Sequence, residues 1–261
     1  MAKRDLRGTR VLVTGASSGI GREIALQLCK RGAQVLATAR RVDRLMELSN
    51  QCKDLGQELL ILPGDLTQHG HREDLVAEAK LRMGGLDVLI NNAGAGAIGP
   101  FSEATRERLR TVMEIDFFAP VELTRLCLPM LEVGIRPAIL IIGSVLSHRA
   151  IPNKSEYCAS KFAMRGWSES LRVELASKKI EVLMLSPSTT RSEFFDSLVE
   201  TDPKQNSRSV GSMSAEQVAK QAISVLVRSK REMILSLGGK ALVWAGRLFP
   251  RMTDRILGRF Q

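Results

Sequence analysis

Seven short apolar runs punctuate the chain, at residues 10–14, 34–38, 58–62, 86–90, 138–142, 180–185 and 232–236. Each is nearly continuous Val, Leu and Ile rather than alternating, the pattern of strands covered on both faces, as parallel strands are. The intervening segments carry apolar residues at three-and-four spacing, as in Ile24-Ala25-Leu26-Gln27-Leu28, which predicts amphipathic helices. Strand and helix in alternation predict the α/β class, with one doubly wound parallel sheet of about seven strands and helices on both faces. No repeat and no linker composition interrupts the alternation, so residues 1–237 read as a single domain.

The turn after the first run is Thr14-Gly-Ala-Ser-Ser-Gly-Ile-Gly21, and it enters a helix. Gly15, Gly19 and Gly21 permit a tight turn and close approach of backbone to a pyrophosphate, with Ser17, Ser18 and Ile20 beside them. The helix N-terminus adds unpaired N–H groups and a positive dipole end. The spacing departs from the commoner Gly-x-Gly-x-x-Gly, but a strand before and a helix after are the context a dinucleotide site needs. A glycine-rich turn without a ligand is the plainer alternative. The second run leads into Ala39-Arg40-Arg41, with no acid until Asp43. A carboxylate there would bond a ribose 2′-hydroxyl, whereas two guanidinium groups grip a 2′-phosphate, which favours NADP(H). The alternative is that both arginines are solvated at a helix start. Asp65, followed by Leu66, is placed to accept from an adenine amine or to cap a helix. Asn91-Asn92-Ala93-Gly94 follows the fourth run, beside the first turn, at the switch point of such a sheet. Asn-rich loops are also ordinary turns.

Tyr157, the only tyrosine, stands four residues before Lys161, one helical turn away on the same face. A cation beside a phenol favours the phenolate and lowers a pKa that is ordinarily about 10, making the group usable as an acid or base. A Tyr and a Lys sharing an ordinary helix is the alternative.

Charge and composition narrow the partners. Lys and Arg number 38 against 28 Asp and Glu, a net charge of +10 that favours an anionic partner. Zinc-finger spacing, RNA-binding aromatic motifs and long basic runs are missing, and 4% aromatic residues leave few platforms for stacking bases, which argues against nucleic acid. Cys29, Cys52, Cys127 and Cys158 are scattered with no Cys-x-x-Cys pair, which predicts a reducing compartment and no structural metal. Without a secretion-type N-terminus or an apolar run of about 18 residues, the expected location is cytoplasmic, at most membrane-attached. Residues 238–261 read as a basic amphipathic tail of the same domain. Arg247, Arg251, Arg255 and Arg259 recur every four residues among Leu248, Phe249, Met252, Ile256, Leu257 and Phe260. Such a tail suits peripheral contact with an anionic membrane or, more plainly, packing against the substrate region or a second subunit. Pro250 should interrupt its helix. Residues 193–213 begin apolar and turn polar, as a lid over a hydrophobic substrate or a surface loop would.

In family order, Thr14-Gly-x-x-x-Gly-x-Gly21, Asn91-Asn-Ala-Gly94, Ser144 and Tyr157-x-x-x-Lys161 resemble the single-domain, NADP-type short-chain dehydrogenase/reductase family over residues 8–236. The resemblance implies that Tyr157 gives or takes the proton, and that Lys161 lowers its pKa and bonds the nicotinamide ribose. It implies that Ser144 holds the substrate oxygen where charge develops, and that Asp65 and Asn92 line the adenosine side. Pro187, Thr189 and Ser192 would meet the carboxamide and diphosphate, and helices around 102–134 and 155–178 would pair with symmetry mates in a homo-oligomer. Two departures stand out. Asp116 occupies the place of a family asparagine, which is expected to preserve the proton relay with an altered pH optimum. Ser188 replaces a glycine after Pro187, which puts the loop conformation in question. The expected function is NADP(H)-dependent interconversion of a ketone or aldehyde and an alcohol on a hydrophobic small molecule. The alternative is a catalytically weak NADP-binding regulator or scaffold of the same Rossmann-like fold, favoured by Asp116 and Ser188 and opposed by an intact Ser144, Tyr157 and Lys161.

Overall fold

The computed structural model describes residues 3–191, 193–194, 198–201 and 213–260, the Phe260 side chain excepted. Among them the strands are β1 (Arg10–Thr14), β2 (Gln34–Thr38), β3 (Leu59–Ile61), β4 (Val88–Asn91), β5 (Ala138–Ile142), β6 (Glu181–Ser186), β7 (Thr190–Arg191), β8 (Met213–Ser214) and β9 (Glu232–Ile234). Seven of these form one parallel sheet in the order β3-β2-β1-β4-β5-β6-β9. The seven apolar runs supply those seven strands, with ends displaced by up to two residues. The two-residue β7 and β8 pair with each other alone, parallel, and are too short for any periodicity to announce them.

The helices are α1 (Gly19–Cys29), α2 (Val42–Asp54), α3 (His69–Met83), α4 (Arg106–Met113), α5 (Ala119–Glu132), α6 (Ser155–Glu174), α7 (Ala215–Val227), α8 (Leu237–Leu248) and α9 (Pro250–Leu257). Side chains alternate across β1, so Val11 and Val13 enter one core and Leu12 the other. Ile24 and Leu28 of α1 meet Val218 and Ala222 of α7 on the first face. Leu75 of α3, Leu123 of α5 and Met164 of α6 close the second. Each such aliphatic side chain, once buried, contributes roughly 1.5–3 kcal/mol.

Two features position the site. The strand order reverses between β1 and β4, which leaves a crevice beyond their carboxyl ends. Between α4 and α5 the chain makes a π-helical turn, Glu114–Phe118, whose hydrogen bonds span one residue more than those of an α-helix.

The tail is two helices rather than one stripe. α8 stops at Leu248, Phe249 breaks the geometry, and Pro250 begins α9 at the first position, where its missing N–H costs nothing. Arg247 therefore lies on α8 and Arg251 and Arg255 on α9. No helix among the described residues is long and apolar enough to cross a membrane.

Candidate functional site

A cavity of about 540 Å³ runs along the carboxyl edge of the sheet. At its centre the turns after β1 and β4 are laced together. Thr14 Oγ1 accepts from the backbone N–H of Asn92 and of Ala93, each at 3.0 Å. Asn92 Nδ2 donates back to the carbonyls of Thr14, at 2.9 Å, and Gly15, at 3.3 Å. Gly15 has φ +67°, and a Cβ there would sit 2.8 Å from Ala93 Cα, so only glycine serves. Ser17, Ser18, Gly19 and Ile20 line the cavity, and no acidic residue occupies the first turn of α1. Gly21 does not reach the cavity. It packs behind the turn, where a side chain would collide with Asn92 and the Gly15 carbonyl.

At the β2 end, Ala39, Arg40 and Arg41 line the same cavity. Arg40 is exposed. Arg41 is exposed too, and its guanidinium bonds across the rim, with Nη1 2.7 Å from Glu193 Oε2 and Nη2 3.3 Å from Ser17 Oγ. Asp65 lines the cavity with Leu66, and its Oδ1 accepts from Thr67 N and Thr67 Oγ1, both at 2.9 Å. Those two bonds close a local turn and are not a helix cap, since α3 begins at His69 with Gln68 before it and no side-chain cap bond.

On the other side, Ser144, Tyr157 and Lys161 converge on the cavity beside Ala93 and Gly94. Ser144 sits two residues beyond β5, fixed by the bond from Leu146 N to its Oγ, 3.1 Å. Tyr157 and Lys161 share one face of α6, with Lys161 Nζ 5.4 Å from the phenol ring centre. The first turn of α6 is held by a buried ion pair between Glu156 and Arg108 of α4, Oε1 to Nη2 2.7 Å. Burial is the largest influence on the Tyr157 phenol and pushes its pKa up; Lys161 pulls it down, Asp116 pushes it further up and Ser144 pulls it down. The net shift is upward. Lys161 acts in the expected direction, but exclusion of water from the phenolate and the charge of Asp116 outweigh it.

Asp116 is buried in the π-helical turn, where the wider backbone turns it toward α6. Its Oδ1 accepts from Ala95 N at 2.8 Å, its Oδ2 from Ser160 Oγ at 2.6 Å, and Lys161 Nζ lies 3.4 Å from Oδ2. Burial pushes the carboxyl up against Lys161 and these bonds. The Lys161 ammonium also moves up, since Asp116 and Tyr157 overcome the effect of burial. Three donors aim at the two carboxylate oxygens, so the proton of the pair resides on Lys161.

Pro187 and Thr189 line the cavity. Ser188 is not among the residues with positive φ, so serine meets no backbone strain in the glycine's place. Ser192 lies outside the described residues, as does much of the lid segment. Of the lid, the Phe194 ring centre stands 5.8 Å from that of Tyr157, and Val199 N donates to the Gly96 carbonyl at 2.8 Å.

Several lining or supporting residues escape sequence reasoning. Ser160 was in plain view between Tyr157 and Lys161, but only the fold shows that it faces Asp116. Lys154, whose pKa burial lowers, lines the cavity near Tyr157. Gly238, Gly239 and Leu242 of α8 complete the wall, and an apolar segment after the last strand is the sole signal for them.

A sequence profile described as short chain dehydrogenase matches residues 9–203. The uncharacterized oxidoreductase YxnA of Bacillus subtilis (strain 168) is 30% identical over 263 residues, covering 97% of this chain and 72% of its own. The hydroxysteroid 11-beta-dehydrogenase 1-like protein A of Xenopus laevis is 30% identical over 263 residues, covering 100% of this chain and 89% of its own. A short chain dehydrogenase/reductase from Burkholderia phymatum, solved in complex with NAD, superposes on 96% of this chain and 97% of its own with a TM-score of 0.87 at 18% identity, a likeness of fold.

Proposed function

The chain belongs to the short-chain dehydrogenase/reductase family, oxidoreductases that work with a nicotinamide cofactor, and we propose that it interconverts a ketone or aldehyde and an alcohol on a hydrophobic substrate with NADP(H). Residues 1–237 would form the catalytic domain, extended by 238–261. The observation that carries the reading is the convergence of Ser144, Tyr157 and Lys161 on one cavity that continues past the glycine turn to Arg40 and Arg41.

The chain's own features suit the cofactor: Gly15 permits the tight turn, the free N–H groups at the start of α1 would meet a diphosphate, and Arg41, on leaving Glu193, would with Ser17 offer donors to a 2′-phosphate. The bound cofactor supplies the hydride chemistry. Tyr157 gives its phenolic proton to the carbonyl oxygen in reduction and takes it back in oxidation. Ser144 donates to the oxygen where negative charge develops, and Lys161, held protonated by Asp116, lies beside the phenolate left behind. The upward shift of the Tyr157 phenol, from burial first and then the charge of Asp116, is in the direction that suits a proton donor. Ile98, Ile151, Phe194, Leu198 and Leu242 give the substrate end an apolar wall. The Xenopus relative, hydroxysteroid dehydrogenase-like by name, supports an alcohol–ketone pair on a bulky apolar skeleton. Phe118, Phe162 and Val173, exposed on the π-helical turn and α6, offer the surface for a homo-oligomer.

The test follows NADPH absorbance across a panel of ketones and aldehydes. Tyr157→Phe should lower kcat/KM by about 10²–10⁴-fold and leave NADPH affinity intact. Activity that persists in the variant overturns the assigned role. A weakly catalytic regulator, which the raised Tyr157 pKa would accommodate, would bind NADPH and turn over no carbonyl compound at all.

A further inference from the structure

Helix α8 is apolar on two opposite faces. On the inner face Gly239 and Val243 are buried, and a Cβ on Gly239 would press into Val145. On the outer face Leu237, Ala241, Trp244 and Leu248 follow at steps of four, three and four residues, one stripe along the helix. Leu237 is 85% exposed, Trp244 58% and Leu248 62%. Phe249, Met252 and Ile256, also exposed, continue the apolar surface into α9. Single exposed apolar residues are ordinary on a protein surface, but a contiguous group of large ones marks an interaction site.

Charge identifies the partner. Residues 237–260 contain Lys240, Arg247, Arg251, Arg255 and Arg259 against one acid, Asp254, which is already ion-paired with Arg149. A second copy seated face to face would bring like charges together, whereas an anionic sheet of headgroups neutralises them. Trp244, with Arg247 5.9 Å above its ring, pairs an aromatic anchor with a cation, as helices lying in the bilayer interface do. Neither helix is long enough to span, so the contact is peripheral.

The first turn of α8 spans the two sides: Leu237 begins the exposed stripe, while Gly238 and Gly239, with Leu242 a turn later, line the cavity. We propose that the α8–α9 face docks on the surface of a bilayer containing anionic phospholipid, and holds the cavity mouth against it so that lipophilic carbonyl or alcohol substrates enter from the lipid. The route of entry rests on the oxidoreductase reading; the docking does not.

The full chain is co-sedimented with vesicles of phosphatidylcholine alone and with vesicles that also contain phosphatidylserine, at low and high salt. Binding to the anionic vesicles should exceed binding to the neutral ones at least tenfold and weaken as salt rises. Trp244→Ser/Leu248→Ser and, separately, Arg251→Glu/Arg255→Glu should each reduce it tenfold or more. Both variants should keep wild-type turnover of a water-soluble carbonyl compound without vesicles, which shows that they fold. Anionic vesicles should raise wild-type turnover of a bilayer-dissolved ketone several-fold and leave the variants unaffected. Failure of the wild-type chain to bind anionic vesicles overturns the docking, as does equal binding by wild type and the Trp244/Leu248 variant. A dimer that forms without vesicles and is lost in that variant, with no vesicle binding, assigns the face to a second copy instead. Vesicle binding with no turnover of any carbonyl compound leaves the docking standing and removes the oxidoreductase reading alone.

Discussion

Ser160 and Asp116 are joined by a 2.6 Å hydrogen bond, hydroxyl to carboxylate, directly behind the Lys161 ammonium. The bond ties α6 to the π-helical turn and fixes a negative charge beside the cation that neighbours Tyr157. The family's neutral asparagine would accept a bond at this place without supplying that charge.

Asp116→Asn should therefore change the pH profile. On the proposed role of Tyr157, oxidation needs the phenolate, so its rate should rise as pH climbs through the Tyr157 pKa; reduction needs the phenol, so its rate should fall over the same range. Asp116 holds that pKa up, and removing its charge moves both limbs to lower pH, by roughly one unit for every 1.4 kcal/mol of lost interaction. Profiles of kcat/KM for both directions check this, and limbs that coincide with the wild type would sink it.

Arg41 should set cofactor preference. Replacing it with Ala removes charge-assisted bonds of about 1.5–3 kcal/mol each, so KM for NADPH should rise roughly 10–100-fold. KM for NADH should hold within a few-fold. Equal changes for the two cofactors would place the 2′-phosphate elsewhere.

The Arg108–Glu156 pair sits almost fully out of water, at 3% and 2% exposure. Burial pushes the Glu156 carboxyl up, but bonds from Arg108 and Ser155 hold it below its ordinary value. A depressed carboxylate stabilises the fold above its unfolded pKa of about 4.3 and loses that contribution as pH falls through the folded value. Glu156→Gln leaves a guanidinium uncompensated at a cost of about 3–5 kcal/mol, or roughly 10 °C in Tm. Thermal melts from pH 7 down to pH 3 should show the gap between variant and wild type narrowing as the acid protonates. A gap that is constant over this range would contradict the pairing.

Much of this architecture is legible in the sequence, because buried parallel strands must be continuous Val, Leu and Ile, and a turn that passes Asn92 so closely must be glycine. Tyr157 and Lys161 are legible for a similar reason, since helix geometry alone puts residues four apart side by side. What escapes depends on contacts between segments distant in the chain. The π-helical turn at Glu114–Phe118 leaves no mark in the pattern of apolar residues, yet it decides where Asp116 points. The same distance explains Tyr157: a neighbouring lysine is visible in the sequence, but the burial that outweighs it arises only when the sheet, α6 and Phe194 come together. Residues of α8 join the cavity wall from more than 70 positions beyond Tyr157, a distance that no local pattern reports.

The bond from Val199 to Gly96, with Phe194 lying over Tyr157, has a kinetic corollary. If Tyr157 transfers the proton as proposed, the Phe194 ring beside it would have to move aside before the product departs. The clock of each turnover would then be a loop moving through solvent, and kcat should slow in proportion as glycerol or sucrose thickens the medium.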